Sequence, residues 1–151
     1  IRRGIGACGA RAGYGRVEDE MDVGPLRGAL AAKGVALALP GIDEESLVFR
    51  AWKPGQSLVA GPLGTSEPSG ANLSNPPDII LVPLLAFDGD GYRLGYGKGY
   101  YDQALAIIPD RSRVRVVGVA YAAQKVGTLP HDNWDQPLDW IVTDIGAKAF
   151  R

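Results

Sequence analysis

Three apolar runs constrain what this chain can fold into: residues 35–39 (VALAL), 47–52 (LVFRAW) and 79–83 (IILVP). A strand wetted on one face alternates apolar with polar residues, so a continuous run such as 79–83 needs cover on both faces. Further strands are predicted at 114–121 and 140–143, and two helical patterns interleave with these runs. The first helix starts near Asp22, which can cap it, accepts Pro25 in its first turn, turns Val23, Leu26 and Leu30 to one face, and stops at Gly34. The second covers 100–108, with Ala104, Leu105 and Ile108 inward and Pro109 closing it. Strands and helices in alternation predict an α/β domain: a largely parallel central sheet flanked by helices in three layers, with ligands at the carboxyl ends of the strands.

Two stretches carry no such pattern. Residues 1–20 are rich in Gly and Arg and end in the acidic run Glu18-Asp19-Glu20, so little regular structure is expected there. The domain is therefore expected over 20–151, behind an irregular segment at 1–19. In the second stretch, 61–77, Gly, Pro, Ser and Asn dominate, which predicts a loop. Loops that long inside a compact domain usually bind something or are disordered.

At 151 residues, 46% hydrophobic and 22% charged, the chain is long enough to bury one core without disulfides or a structural metal. Its net charge of −1 excludes nucleic-acid binding through bulk charge. Cys8 is the single cysteine and His131 the single histidine, which excludes an internal disulfide and a cysteine-rich zinc site and points to a reducing, cytoplasmic setting. No apolar run approaches the roughly 20 residues that cross a bilayer, and none follows Ile1-Arg2-Arg3-Gly4 as a secretion signal would require. The start on Ile1 rather than Met leads to the expectation of a fragment or an engineered start.

The chemistry concentrates in residues 84–102, LLAFDGDGYRLGYGKGYYD. Glycines at 95, 97 and 99 remove three Cβ atoms from one short turn, so backbone N–H groups can converge on an anion. Lys98 lies between two of them, Arg93 just before, and the helix beginning near Tyr100 would point its positive end the same way. Asp102, in that helix's first turn, could hold Mg²⁺, which takes one or two carboxylates together with water and phosphate oxygens. The segment matches neither the Walker spacing nor the Gly-x-Gly-x-x-Gly dinucleotide pattern. These residues leave two readings open, a tight crossover with its tyrosines in the core or an anion site. The two cations favour the second, because Lys and Arg are rarely buried without a partner.

Residues 80–83 (ILVP), 86–88 (AFD) and above all 91–102 (GYRLGYGKGYYD) resemble the signature of the 5-formyltetrahydrofolate cyclo-ligase family, also called methenyltetrahydrofolate synthetases. The resemblance continues through 49–55 (FRAWKPG), 64–68 (GTSEP), 129–132 (LPHD) and 139–144 (DWIVTD), and covers the chain from about Glu20 to its end. It implies ATP- and Mg²⁺-dependent ring closure of 5-formyltetrahydrofolate to 5,10-methenyltetrahydrofolate, with release of ADP and phosphate. In that chemistry ATP phosphorylates the formyl oxygen, nitrogen 10 attacks the activated carbon, and phosphate leaves, so the site's task is positioning and charge neutralisation.

The same resemblance implies the residue roles. Arg93, Leu94, Gly95, Tyr96, Gly97, Lys98, Gly99, Tyr100 and Tyr101 would lie along the ATP phosphates, with Arg93 and Lys98 as the catalytic cations. Tyr96, Gly97, Lys98, Gly99 and Tyr100 would also touch the folate, and Glu20 with Met21 would meet its pterin. Asp102 and Asp135 would be the magnesium ligands. A carboxylate such as Glu20 suits a pterin, since it accepts two parallel hydrogen bonds from an aminopyrimidinone edge. By their types alone, Glu20 also fits a solvated acidic run and Asp135 a turn. His131 is read as a loop residue, because the phosphoryl transfer needs no imidazole base. Trp52, Trp134 and Trp140 could stack on a pterin, but aromatic residues near strands are more often core, and they are left out of the site.

Complete members of the family begin with a basic helix and a first β-strand, and residues 1–17 match neither recognisably. An amino-terminal helix and strand are therefore expected to be missing. The second reading is then a truncated or impaired member that binds nucleotide or folate without turnover. An unrelated kinase or phosphatase would need a base, a nucleophile or a metal cluster that the sequence does not offer. The expected partner is a small-molecule substrate alone, with the chain monomeric and away from nucleic acid and membranes.

Overall fold

A computed structural model describes residues 10–14, 21–62, 65–95 and 99–150. Glu20, Tyr96, Gly97 and Lys98, and with them Cys8, lie outside the described residues. The elements follow in the order β1 (Arg11–Ala12), α1 (Gly24–Ala32), β2 (Leu37–Asp43), β3 (Ser46–Trp52), β4 (Leu58–Ala60), β5 (Ser66–Pro68), β6 (Ile79–Pro83), β7 (Ala86–Phe87), β8 (Arg93–Leu94), α2 (Tyr100–Ala106), β9 (Arg115–Val119), β10 (Trp140–Thr143) and β11 (Gly146–Ala149).

The α/β class is as expected, and the main sheet is mixed. Its seven strands run in the order β11-β10-β9-β6-β1-β2-β3. Strands β10, β9, β6, β1 and β2 pair in parallel, while β3 and β11 close the two edges antiparallel. The run predicted at 79–83 is β6, whose Ile80 and Val82 are fully buried, as is Val116 on its neighbour β9. Leu84, Leu105 and Leu138 complete the core around them. At Gly118 a Cβ would fall 2.6 Å from the Leu138 Cδ1 and 2.9 Å from the Ile141 Cδ1, so any larger residue there would push these core side chains aside.

Several expectations are corrected. The first strand is present: Arg11↔Leu37 and Arg11↔Ile79 place β1 between β2 and β6, in the middle of the sheet. It was hidden because two residues among small Ala and Gly make no periodic pattern, yet Ala12 and Tyr14 are buried to 1% and 2% exposure. The sheet therefore includes part of the segment 1–19 that was expected to be irregular. The strand read at 35–39 starts later and runs on through Pro40 and Gly41 into a hairpin. Its two-residue turn holds Glu44 and Glu45 at φ of 46° and 70°, the conformation that such tight hairpins demand.

The stretch 61–77 is not featureless, since β5 pairs with β4 and buries Glu67 and Pro68. Asp22 sits one residue outside the cap of α1, accepting the Gly24 N–H at 2.8 Å. The apolar face of that helix is only half realised, because Val23 is buried while Leu26 stays 45% exposed. Trp134, read as core, is 80% exposed.

Candidate functional site

Strand β6 leads into the β7–β8 hairpin, and Asp88 holds that hairpin in place. This buried carboxylate accepts the N–H groups of Asp90 (2.9 Å) and Tyr92 (3.1 Å) on one oxygen and that of Leu129 (3.0 Å) on the other. The first two bonds form an Asx-type turn, the usual use of Asp ahead of Gly. The third ties the hairpin to the loop that ends in Asp135. Tyr92 then stacks on His131 of that loop, with ring centroids 3.5 Å apart and planes within 8°. Burial pushes the Asp88 carboxyl up, but the N–H groups of Leu129, Asp90 and Tyr92 and the nearby His131 outweigh it and hold it below its ordinary value.

Arg93 follows on β8 and points inward, its side chain only 7% exposed. It pairs with Asp102 (Nη2 to Oδ1, 3.3 Å) and lies 5.7 Å from the Tyr101 ring centroid. Its Nε is buried without a hydrogen-bond partner among the described residues. Gly99 begins α2 at φ +66°, a left-handed conformation that costs glycine little and turns the chain into the helix. Asp102, in the first turn of α2, also accepts the Gln136 N–H at 3.0 Å. That bond brings the Asp135 segment against Asp102. Asp135 is half-buried, accepts the Asp132 N–H at 3.0 Å and closes a tight turn.

The structure thus joins Arg93, Tyr101 and Asp102, with Asp135 one residue from the contact. Leu94 is 52% exposed, Gly95 and Tyr100 are half-buried, and Gly99 is exposed on the same segment. Met21 belongs to another group: its carbonyl accepts the Tyr14 hydroxyl at 2.8 Å, and it packs with Tyr14, Val23, Val119 and Leu81 beside the parallel strands. Sequence reasoning missed Asp88 and Gln136 as the residues that hold the site together. The pairing FDGD was a legible turn signal for Asp88, whereas Gln136 acts through a backbone N–H and leaves no mark in residue type.

The donor set fits Mg²⁺. Asp102 and Asp135 would offer it hard carboxylate oxygens, and no group of three or more His, Cys, Asp or Glu that could cage a metal occurs among the described residues. An ion held by one or two carboxylates and otherwise by phosphate oxygens and water is how Mg²⁺ usually binds, and the buried guanidinium of Arg93 adds charge for a phosphate.

The chain is similar to known proteins over most of its length. The sequence model of the 5-formyltetrahydrofolate cyclo-ligase family matches residues 12–144. The 5-formyltetrahydrofolate cyclo-ligase of Escherichia coli strain K12 is 35% identical over 133 residues, covering 83% of this chain and 72% of that protein. That of Mycoplasma pneumoniae is 46% identical over 70 residues, covering 46% of this chain and 41% of its own. Among solved structures, the 5,10-methenyltetrahydrofolate synthetase of Aquifex aeolicus superposes with a TM-score of 0.77 at 36% identity, over 95% of this chain and 72% of that one. The Mycoplasma pneumoniae synthetase does so with a TM-score of 0.70 at 27% identity, over 91% and 74%.

Proposed function

The chain belongs to the 5-formyltetrahydrofolate cyclo-ligase family, and from that membership we propose that it closes 5-formyltetrahydrofolate to 5,10-methenyltetrahydrofolate at the expense of ATP, releasing ADP and phosphate. The observation that carries the reading is the match over residues 12–144, which includes the whole segment from Arg93 to Asp102. The recovered strand β1 answers one of the two grounds for a truncated, binding-only member, the missing first strand.

In this proposal Asp102 and Asp135 hold Mg²⁺, which when bound supplies charge neutralisation at the phosphate oxygens. Arg93, fixed by β8 and by Asp102, offers its guanidinium to the phosphate, and Lys98 adds a second cation from the glycine-rich turn. Leu94, Gly95, Tyr96, Gly97, Gly99, Tyr100 and Tyr101 line the nucleotide. The folate contacts are Tyr96 to Tyr100, with Glu20 and Met21 at the pterin. These residues bring formyl oxygen and phosphoryl group together and stabilise the charge that develops between them, the two tasks that dominate phosphoryl transfer.

The same proposal takes the chain as one three-layer α/β domain on a largely parallel sheet, with β1 inside it. The parallel register of the inner strands supports that. It takes the chain as a monomer acting on a small molecule in the cytoplasm. No helix of the described residues is long and apolar enough to cross a membrane.

The test is absorbance of the methenyl product when the protein is mixed with 5-formyltetrahydrofolate and MgATP, each then omitted in turn. Signal only with all components present is expected. Signal without ATP, or none from folded protein, would sink the proposal.

A further inference from the structure

Trp134 is out of place for an indole. It is 80% exposed, whereas Trp140 is 40% exposed and Trp52 is half-buried, with Arg27 5.2 Å from its ring centroid. An indole offers 150–250 Å² of surface for burial, so one held in water forgoes a large gain unless something covers it at work.

Its backbone is held firmly. The Trp134 N–H donates to Asp132 Oδ1 at 2.8 Å, the Asp132 N–H to Asp135 Oδ2 at 3.0 Å, and the Asp135 N–H to the Asp132 carbonyl at 3.3 Å. The next residue, Gln136, is fastened to Asp102. The indole therefore stands on a small pinned turn, directly before one of the two carboxylates assigned to the metal. Both molecules that the proposed reaction brings there carry a flat heteroaromatic part: the purine of ATP, remote from its phosphates, and the pyrimidinone half of the reduced pterin, whose other half bears the reacting formyl group.

We propose that Trp134 is the stacking platform for the heteroaromatic ring of a ligand whose other end is held at Asp102 and Asp135. This rests on the reading of those carboxylates as the metal site. Because the turn is formed in advance, little backbone order has to be gained when a ring settles on the indole.

The experiment is calorimetric titration of the wild-type protein, Trp134→Ala and Trp134→Phe with three probes: MgADP, 5-formyltetrahydrofolate and magnesium triphosphate. Stacking of one heteroaromatic ring is worth about tenfold in affinity, so Trp134→Ala is expected to raise Kd about that much for one ring-bearing probe. Trp134→Phe keeps a flat ring and is expected to recover most of the loss. A change confined to MgADP assigns the purine, and one confined to the folate assigns the pterin. Magnesium triphosphate, which has no ring, is expected to bind all three proteins alike.

Unchanged Kd for both ring-bearing probes overturns the proposal. So does weaker triphosphate binding, or equal loss for both ring-bearing probes together with a lower Tm, because each places the effect in the metal site or the fold. The titrations need no turnover. A wild-type protein that binds these probes but forms no methenyl product would defeat the enzymatic reading and still decide the stacking. One that binds none of them overturns both.

Discussion

Two of the three arginine–carboxylate pairs among the described residues use the same chemistry to different ends. Arg50 and Glu67 meet at 2.8 Å, with side chains 15% and 9% exposed. That pair has further partners: Arg50 also donates to Asn72 and to the Pro68 carbonyl, and Glu67 also accepts the Ile42 N–H. That pair fastens β5 to the β2–β3 hairpin. Arg93 and Asp102 meet at a longer 3.3 Å, with the arginine more buried and the aspartate more open, and the Arg93 Nε has no partner among the described residues. The first pair holds strands together, and the proposed function gives the second a ligand to meet with its spare hydrogen-bonding capacity.

The strongest way to break that comparison is to neutralise both arginines. Arg93→Met is expected to cut turnover about a hundredfold with a small change in Tm, whereas Arg50→Met is expected to cost about 3 kcal/mol of stability and leave turnover per folded molecule within about twofold. Denaturant unfolding and the methenyl assay on the same preparations check it; equal effects on both would erase the distinction.

Lys98→Ala sharpens the ligand side, since it removes a cation from the proposed site while Arg93 and Asp102 are left unsubstituted. A loss of at least about tenfold in turnover is expected, with normal unfolding. Near-normal turnover would withdraw Lys98 from the site.

Asp88 tests what supports the open pair. Asp88→Asn replaces one accepting oxygen by an amide and is expected to destabilise by about 2 kcal/mol at neutral pH. The folded carboxyl is held below its unfolded value near about 3.9, so its contribution is present above that pH and lost as pH falls through the folded value. The difference between wild type and variant is therefore expected to shrink below about pH 4, and urea titrations at pH 7 and 3 would show it. A constant difference would mean that charge plays no part.

The smallest effect belongs to the Arg50–Glu67 side. Glu45→Gly, at φ 70°, relieves a left-handed non-glycine residue in the β2–β3 turn and is expected to add up to about 1 kcal/mol of stability without altering turnover. A lower Tm would show that the Glu45 side chain itself matters.

Much of this protein was legible before any coordinates. The continuous run at 79–83 required a strand covered on both faces, and it became β6 at the centre of the sheet. The segment 91–102 announced its family through residue type and spacing, which a local run of sequence displays directly. Those features are short-range, and short-range order is what a sequence displays.

Tertiary structure decided the rest. A two-residue strand at Arg11–Ala12 exists only because β2 and β6 lie on either side to bond it, so no local pattern could reveal it. Asp88 became the support of the site by reaching Leu129, forty-one residues on, and Asp102 met the Asp135 segment through the Gln136 N–H, thirty-four residues on. Trp134 resembled core by composition and stands in water, because exposure depends on which surfaces the fold brings over a residue. Contacts between distant residues, and backbone donors that carry no residue identity, are settled only when the chain closes on itself.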